Sequence, residues 1–559
     1  MHAKNGVTEY WNNQVMRREQ SSKTPSLRFS LMDPVKITID GKEVITTKGQ
    51  TVIQVADELG VPIPRYCYHP KLSIAGNCRM CLVEIEKMPK LQIACNTQVA
   101  DGMSVLTQSP KVLAVRKAVL EFLLINHPVD CPICDQAGEC WLQDYYMQHD
   151  RQASRFEVGK VHDRKRTIFG PNVVFDGERC IKCTRCVRFC QEITKTNELT
   201  VVNRSDHSTI ALFDDSMLDN PLSANVVDIC PVGALTDRDF RFKVRVWYLQ
   251  KTPSICPGCS TGCNISVETY QNHIARFKPR VNEAVNSHWL CDEGRYCFHD
   301  LAGGERLTTP LIRQEGGLVA ATWEQAFQAV YSGLKGSSSL AAILSGRNTN
   351  EEAYLFAKLM KKLRADAMLE VFYEERELNE VEKILVSPDR SPNFRGARDM
   401  GVGSSDGFDG LLRRLLSGDF AAAFIVGEDL TKAAESETVR AALQKLSFLV
   451  VQDTRVTETS KLAHVVLPAM HFGEKEGTYT NRKGRLQKLN AALIAPEGAL
   501  PDSEIFAQLL ELAGEQNGYG TPEQIFAALA REIPAYNKLT YDSIGAQGIE
   551  LDSGGGGAS

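Results

Sequence analysis

The chain has 559 residues, 43% hydrophobic and 24% charged, with 64 Lys plus Arg against 69 Asp plus Glu for a net charge of −5. At about 100–200 residues per domain, this length predicts roughly three to five domains. The composition excludes a mostly disordered, collagen-like or coiled-coil chain. The missing basic surplus argues against nucleic acid, and no apolar run approaches the ~18–20 residues of a bilayer span.

Residues 1–31 are polar and mildly basic, without the apolar segment of an export signal, and are expected to form a flexible extension. Val35–Ile39 alternates apolar and polar residues, Asp40-Gly41 is a hairpin signal, and Val44 and Ile45 continue the second strand. Thr51 opens a helix over Val52–Leu59 that Gly60 ends. Together these predict a small α+β module over 32–105. Helical spacing of Val112, Leu113, Val115, Val119, Leu120, Leu123 and Leu124 predicts a helix from Lys111 to Asn126, before Pro128. A loop-rich cysteine region follows, in which the charged run Lys160–Arg166 reads as a solvated linker or contact surface. Beyond residue 300, short apolar strands at Leu340–Leu344, Ala422–Val426 and Phe448–Val451 alternate with helical stretches such as Asn350–Leu363. That alternation predicts a parallel α/β sheet. The Gly-rich stretch 551–559 is expected to be a flexible tail.

All 17 cysteines lie between Cys67 and Cys297. An odd count in a long chain without a signal peptide argues against a disulfide scaffold and for reduced, metal-holding thiols. They fall into four sets. Cys67, Cys78, Cys81 and Cys95 have the single–pair–single layout of a [2Fe–2S] ferredoxin, although the spacing departs from the plant-type pattern. His127, Cys131, Cys134 and Cys140 suit a cubane with one imidazole ligand. Two alternatives stay open there: a zinc Cys₃His site, and a His127 that caps the preceding helix. Cys180, Cys183, Cys186 and Cys230, with Pro231 after the last, repeat the spacing by which ferredoxins hold [4Fe–4S] clusters. Cys256, Cys259, Cys263 and Cys291 have intervals of two, three and 27 residues, and Pro257-Gly258 permits the tight turn a cluster loop needs. Zinc is the alternative for the first and last sets as well. Cys190 reads as a free buried thiol, and Cys297 is left without a role. Several clusters in one chain make sense mainly as an electron wire.

This order of motifs resembles the large iron–sulfur subunit of bacterial respiratory complex I, over about residues 33–300. Ala321–Phe327 and the run Gly477-Thr-Tyr-Thr-Asn-Arg-Lys-Gly-Arg-Leu-Gln487 are similar to the molybdopterin-oxidoreductase region such subunits carry. The resemblance implies a multidomain α+β then α/β chain. Its expected parts are a β-grasp [2Fe–2S] domain at 32–105, a His/Cys3 cluster domain at 106–160 and a ferredoxin-like [4Fe–4S] domain at 161–244. A further [4Fe–4S] domain at 245–300 precedes a truncated molybdopterin-oxidoreductase-like domain at 301–550, without molybdenum.

The resemblance also implies one [2Fe–2S] cluster at Cys67, Cys78, Cys81 and Cys95, where electrons enter. The next relay is at Cys180, Cys183, Cys186 and Cys230, and the one after at His127, Cys131, Cys134 and Cys140. The third [4Fe–4S] cluster, at Cys256, Cys259, Cys263 and Cys291, lies off the main path and is expected to be filled. The implied role is electron transfer from NADH and FMN toward quinone, as a subunit of the proton-translocating oxidoreductase with no self-contained NADH or quinone site. The glycines Gly401, Gly403 and Gly407 do not make a dinucleotide fingerprint. The implied partners are the FMN/NADH-binding subunit, a [2Fe–2S] subunit and the quinone-module subunits, at the cytoplasmic face of the bacterial inner membrane. Contact with the membrane would be through the complex only.

The rival is the catalytic subunit of an NAD-linked molybdenum or tungsten formate dehydrogenase. It would need a metal ligand downstream of the last cluster, where no cysteine follows Cys297 and Glu293 stands where those enzymes often carry a basic residue. An [FeFe]-hydrogenase subunit lacks its required cysteines in the same stretch. A zinc scaffold without redox function is the remaining alternative.

Overall fold

The computed structural model describes residues 34–214, 216–302, 304–432, 436–515 and 518–551. The expected N-terminal extension and all but the first residue of the expected tail lie outside the described residues. The chain divides into two compact units: residues up to 65 with 79–116, and residues 66–78 with those from 117 onward.

In the first unit, Asp40 and Gly41 take positive φ angles of 45° and 82°. Two such residues make the turn whose twist matches paired strands. They join Pro34–Ile39 to Lys42–Thr47, with Ile39 opposite Lys42. The five-stranded sheet runs Lys42–Thr47, Pro34–Ile39, Met103–Leu106, Leu82–Ile85, Gln92–Ile93, and its second and third strands are parallel. Helix Val52–Glu58 starts on a capping box between Thr51 and Gln54 and buries Val52, Ile53, Val55 and Ala56. Gly60, at φ 67°, lets the chain leave it.

The next helix spans Pro110–Leu124 and stops two residues short of the expected end at Asn126. Lys160 Nζ donates to the carbonyls of Leu124 and Ile125 at 2.9 and 2.7 Å. The helix cap that His127 could have supplied is therefore made by Lys160. Lys165 bridges Asp130 and Glu178 at 3.2 and 2.7 Å, so the run read as a solvated linker or contact surface makes tethering contacts.

In the second unit, Gln250–Ile255, Asn264–Tyr270 and His273–Pro279 form an antiparallel meander. The α/β sheet that follows has seven strands in the order Gly317–Ala320, Leu311–Gln314, Val465–Pro468, Phe448–Asp453, Ala422–Val426, Leu340–Leu344, Met368–Val371. The five from Val465–Pro468 to Met368–Val371 are mutually parallel, and the Leu311–Gln314/Gly317–Ala320 hairpin adds an antiparallel edge. Period-two alternation splits the strand residues between two cores. Leu340, Ala342, Leu344, Phe424 and Val450 pack with helices Trp323–Lys335, Asn350–Leu363, Asp502–Leu512 and Pro522–Glu532. Ala341, Ile343, Ile425 and Val451 pack with Gly407–Ser417 and Ser436–Lys445. Gly407 opens a helix, but the preceding element is helix Phe394–Asp399 rather than a strand, so no dinucleotide turn forms there. Among the described residues no helix is long and apolar enough to cross a membrane.

Candidate functional site

All 17 cysteines are free thiols, which leaves every one chemically able to bind iron. The structure divides the first set between the two units. Cys67 and Cys78 are hydrogen-bonded to each other, which holds the Cys67 thiol well below the usual thiol range. Cys81 and Cys95 flank the Leu82–Ile93 strand pair and are buried, and the Cys81 carbonyl accepts from Ala94 N at 3.0 Å.

Cys180, Cys183, Cys186 and Cys230 line one small closed cavity whose other walls include Phe175, Ile210, Val232 and Leu235. Lys182 and Thr184 take left-handed φ values of 54° and 60° and turn the chain on either side of Cys183. Lys182 N donates to Cys180 Sγ at 3.4 Å, and Cys230 Sγ donates to the Val232 carbonyl at 3.1 Å. Burial pushes all four thiols up, Cys183 to about 11. Four thiols around an apolar hole is a donor set that a cationic iron cluster fits, because the metal supplies the charge that stabilises thiolates there.

Cys131, Cys134 and Cys140 lie on a 3-10 turn over Cys131–Ile133 and the start of helix Trp141–His149. Arg245 fixes the turn by donating to the carbonyls of Cys134, Cys131 and Pro132 at 2.8, 3.2 and 2.6 Å. Gly233 is required beside it, since a Cβ there would stand 2.2 Å from Cys134 Sγ. His127 precedes this turn. Burial, assisted by Arg179, Lys160 and Lys165 against the opposing pull of Asp130, lowers it to about 4. The imidazole is therefore neutral at pH 7 and keeps a lone pair for a metal.

Cys256 and Cys263 close the end of the first meander hairpin. Cys256 N donates to the Cys263 carbonyl at 2.9 Å, one step beyond the Ile255–Asn264 pair. Cys259 sits in the loop they bracket. Cys291 caps helix Asp292–Tyr296, and its Sγ accepts from Gly294 N at 3.2 Å. All four are buried. The Gly477–Gln487 run, singled out in the sequence, holds this loop from outside. Gln487 Nε2 donates to the Gly262 carbonyl and to Asn264 Oδ1, both at 2.9 Å, and Asn481 Nδ2 to the Thr261 carbonyl at 3.0 Å. Among the described residues, no three His, Cys, Asp or Glu side chains group as a single metal ion would require.

The residues that sequence reasoning missed are those linking the sets. Arg188 donates to the carbonyls of Cys67 and Cys183 at 2.6 and 3.2 Å. Arg185 is 2% exposed, donates to Tyr68 and Ile229 carbonyls, and stacks 4.5 Å over the ring of Trp141 beside Cys140. Arg179, next to Cys180, pairs with Asp130, next to Cys131, at 2.7 Å, and Trp141 N donates to the Pro231 carbonyl at 3.0 Å. On the other side, Asn225 exchanges hydrogen bonds with Leu290 N and O at 3.0 and 2.8 Å. Asp292 accepts from Ser223 Oγ, Ala224 N and Asn172 Nδ2. The Cys180–Cys230 set is thus tied directly to Cys67, to the Cys131–Cys140 loop and to the Cys291 loop. The one available signal was two arginines interleaved among Cys183, Cys186 and Cys190.

Comparison with known proteins accounts for this series of modules. Residues 32–110 match a 2Fe-2S iron-sulfur cluster binding domain and 116–155 the NADH-ubiquinone oxidoreductase-G iron-sulfur binding region. Residues 170–236 match the ferredoxin-like domain of NADH-quinone oxidoreductase subunit 3. Residues 249–302 match a molybdopterin oxidoreductase Fe4S4 domain, and 306–376 with 376–512 molybdopterin oxidoreductase itself. The NADH-ubiquinone oxidoreductase 75 kDa subunit of Reclinomonas americana is 41% identical over 357 residues, 62% of this chain and 51% of that protein. The 78 kDa mitochondrial subunit of the same oxidoreductase from Neurospora crassa is 43% identical over 61% of this chain and 47% of its own length. An NADH-quinone oxidoreductase subunit of Rickettsia prowazekii is 42% identical over 59% and 49%. The chain is similar to these oxidoreductase subunits over about 60% of its own length. It spans about half the length of the curated relatives it matches. A chain of a NAD+-reducing [NiFe]-hydrogenase matches at 30% identity over 38% of this chain and 91% of that one, with a TM-score of 0.35.

Proposed function

We propose that this chain is an electron-relay subunit of an NADH–quinone oxidoreductase, working beside an FMN/NADH-binding subunit, a [2Fe–2S] subunit and quinone-module subunits. In this reading Cys67, Cys78, Cys81 and Cys95 hold a [2Fe–2S] cluster within a β-grasp module. Three [4Fe–4S] clusters are held by Cys180, Cys183, Cys186 and Cys230; by His127, Cys131, Cys134 and Cys140; and by Cys256, Cys259, Cys263 and Cys291. When bound, these groups supply one-electron carriers whose potentials follow ligand type, hydrogen bonding and burial. The chain's own residues fix the ligand loops, exclude water with apolar walls, and hold the loops against one another.

The observation that carries the reading is the three-way attachment of the Cys180–Cys230 set through Arg188, Arg179 and the Asn225–Leu290 pair. A relay needs one centre in contact with an upstream and a downstream neighbour, and a branch off it suits a fourth, off-path cluster. We also infer that the α/β region binds no molybdenum cofactor. Ligands of such sheets sit beyond the strand carboxyl ends where strand order reverses, here between Leu340–Leu344 and Ala422–Val426. That crevice is filled by the chain itself: Ser345 bonds Glu428, Arg347 stands 3.5 Å from Glu428, and a Cβ on Gly346 would lie 2.3 Å from Ser391 Cβ.

The test is Cys183→Ser in the assembled complex. NADH-to-quinone transfer is expected to be abolished while NADH-to-ferricyanide activity at the flavin persists. Retained quinone reduction in an intact complex would refute the relay assignment.

A further inference from the structure

The fourth cysteine set has a fifth thiol beside it. Gly294 is the hub. Its N–H donates to Cys291 Sγ at 3.2 Å, and its carbonyl accepts from Cys256 Sγ at 3.7 Å and Cys297 Sγ at 3.3 Å. A Cβ at Gly294 would lie 3.0 Å from both Cys256 Sγ and Cys291 Sγ. The missing side chain therefore lets the backbone run against these sulfurs. The thiols of Cys256 and Cys297 also hydrogen-bond to each other. Cys256, Cys259, Cys263 and Cys291 are 3–5% exposed, whereas Cys297 is half-buried, at the end of helix Asp292–Tyr296. Its Sγ shares the Gly294 carbonyl with Cys256 Sγ, and it ends the same short helix that Cys291 caps.

Resting on the reading of this set as a [4Fe–4S] site, we propose that Cys297 is a reserve ligand able to replace Cys256. The exchange is a simple ligand substitution. The Cys297 S–H bond would break and its proton would pass to Cys256 Sγ, its hydrogen-bond partner, as an iron–sulfur bond from Cys297 replaced the one from Cys256. No electron is gained or lost. The contact of Cys297 is with Cys256, so the reserve serves that corner.

The experiment uses the full chain purified anaerobically, with iron and acid-labile sulfide counted per chain and the reduced clusters followed by EPR. Cys256→Ala is expected to keep the iron content of the parent, with an altered signal for this one cluster. Cys259→Ala and the double variant Cys256→Ala/Cys297→Ala are each expected to lose about four Fe per chain, the content of one cubane. Cys297→Ala alone keeps its iron, because Cys256 is in place. Loss of about four Fe from Cys256→Ala equal to that from Cys259→Ala would overturn the reserve role while leaving the cluster in place. Full iron in the double variant would overturn it too. No loss from Cys259→Ala would instead remove the cluster reading on which the proposal stands.

Discussion

Lys475 is the most consequential buried charge of the α/β region. Its Nζ contacts Glu352 Oε2 at 2.9 Å and Asp502 Oδ2 at 2.6 Å, and all three side chains are at most 6% exposed. Glu352 also accepts from Asn348 Nδ2 and Thr349 N, and Asp502 from Gln452 Nε2. Lys475→Met keeps the volume but strands two carboxylates away from water. Removing one partner of a buried pair costs about 3–5 kcal/mol. At about 2–4 °C per kcal/mol for a region of this size, the α/β transition should fall by roughly 6–20 °C. The loss has a defined pH dependence. Burial already holds the Glu352 carboxyl above its ordinary range against the pull of Lys475, and without Lys475 it is raised further. The folded variant therefore takes up protons more readily than the unfolded chain, and its deficit shrinks as pH falls from 8 toward 5. The assay is thermal unfolding of the full chain at both pH values. Glu352→Gln and Asp502→Asn added to Lys475→Met should restore at least half of the loss. A deficit under about 1 kcal/mol, or one that grows on acidification, would refute the view that this triad fills and braces the region.

Three further outcomes follow from the same geometry. Gly233→Ala should cost the Cys134 site its cluster, about four Fe per chain. Gly258→Ala, whose added Cβ would meet Cys256 Sγ at an ordinary 3.4 Å, should not, and iron analysis of the pair checks the contrast. Burial raises Glu428 to about 7, with Arg347 and Ser345 opposing. A carboxyl raised in this way contributes its stability at low pH and loses it as pH climbs from the unfolded value toward 7. Glu428→Gln should thus match the parent near pH 4.5 and exceed it by about 3 kcal/mol at pH 8, read by urea unfolding. Cys259→Ser should lower the stability of the assembled complex more than its NADH-to-quinone flux. A large fall in turnover with assembly intact would place the fourth cluster on the main path.

Where residue type dictates local structure, the sequence was enough. Asp40-Gly41 could only turn, Thr349 and Glu352 cap the helix starting at Asn350, and Leu340–Leu344 and Ala422–Val426 are strands as their apolar runs indicate. Met368–Val371 escaped notice because Glu370 interrupts its apolar run, although Glu370 is 1% exposed and bonded by Ser404 N at 2.6 Å. Val465–Pro468 is too short to stand out, and the Leu311–Ala320 hairpin is half-exposed with no clear alternation. The structure places Cys230 in the same cavity as Cys180, Cys183 and Cys186, whose grouping was legible because its spacing is local. Arg185, Arg188 and Arg245 were not, because each acts on backbone carbonyls some 115 residues away, or at similar range, and a carbonyl has no letter in the sequence. The Cys256–Cys297 contact was hidden for the same reason, since Gly294 brings the two together.

The proposed chain carries four filled clusters, three in the relay and one off the path, and no pterin metal. Elemental analysis of the anaerobically purified chain for Fe, Zn, Mo and W, with acid-labile sulfide, tests this most directly. One [2Fe–2S] and three [4Fe–4S] clusters require about 14 Fe per chain, matched by sulfide, with no Mo or W. About one Mo or W per chain would contradict the relay in favour of a formate-dehydrogenase-like catalyst, and about 10 Fe would show that one cubane site does not hold its cluster.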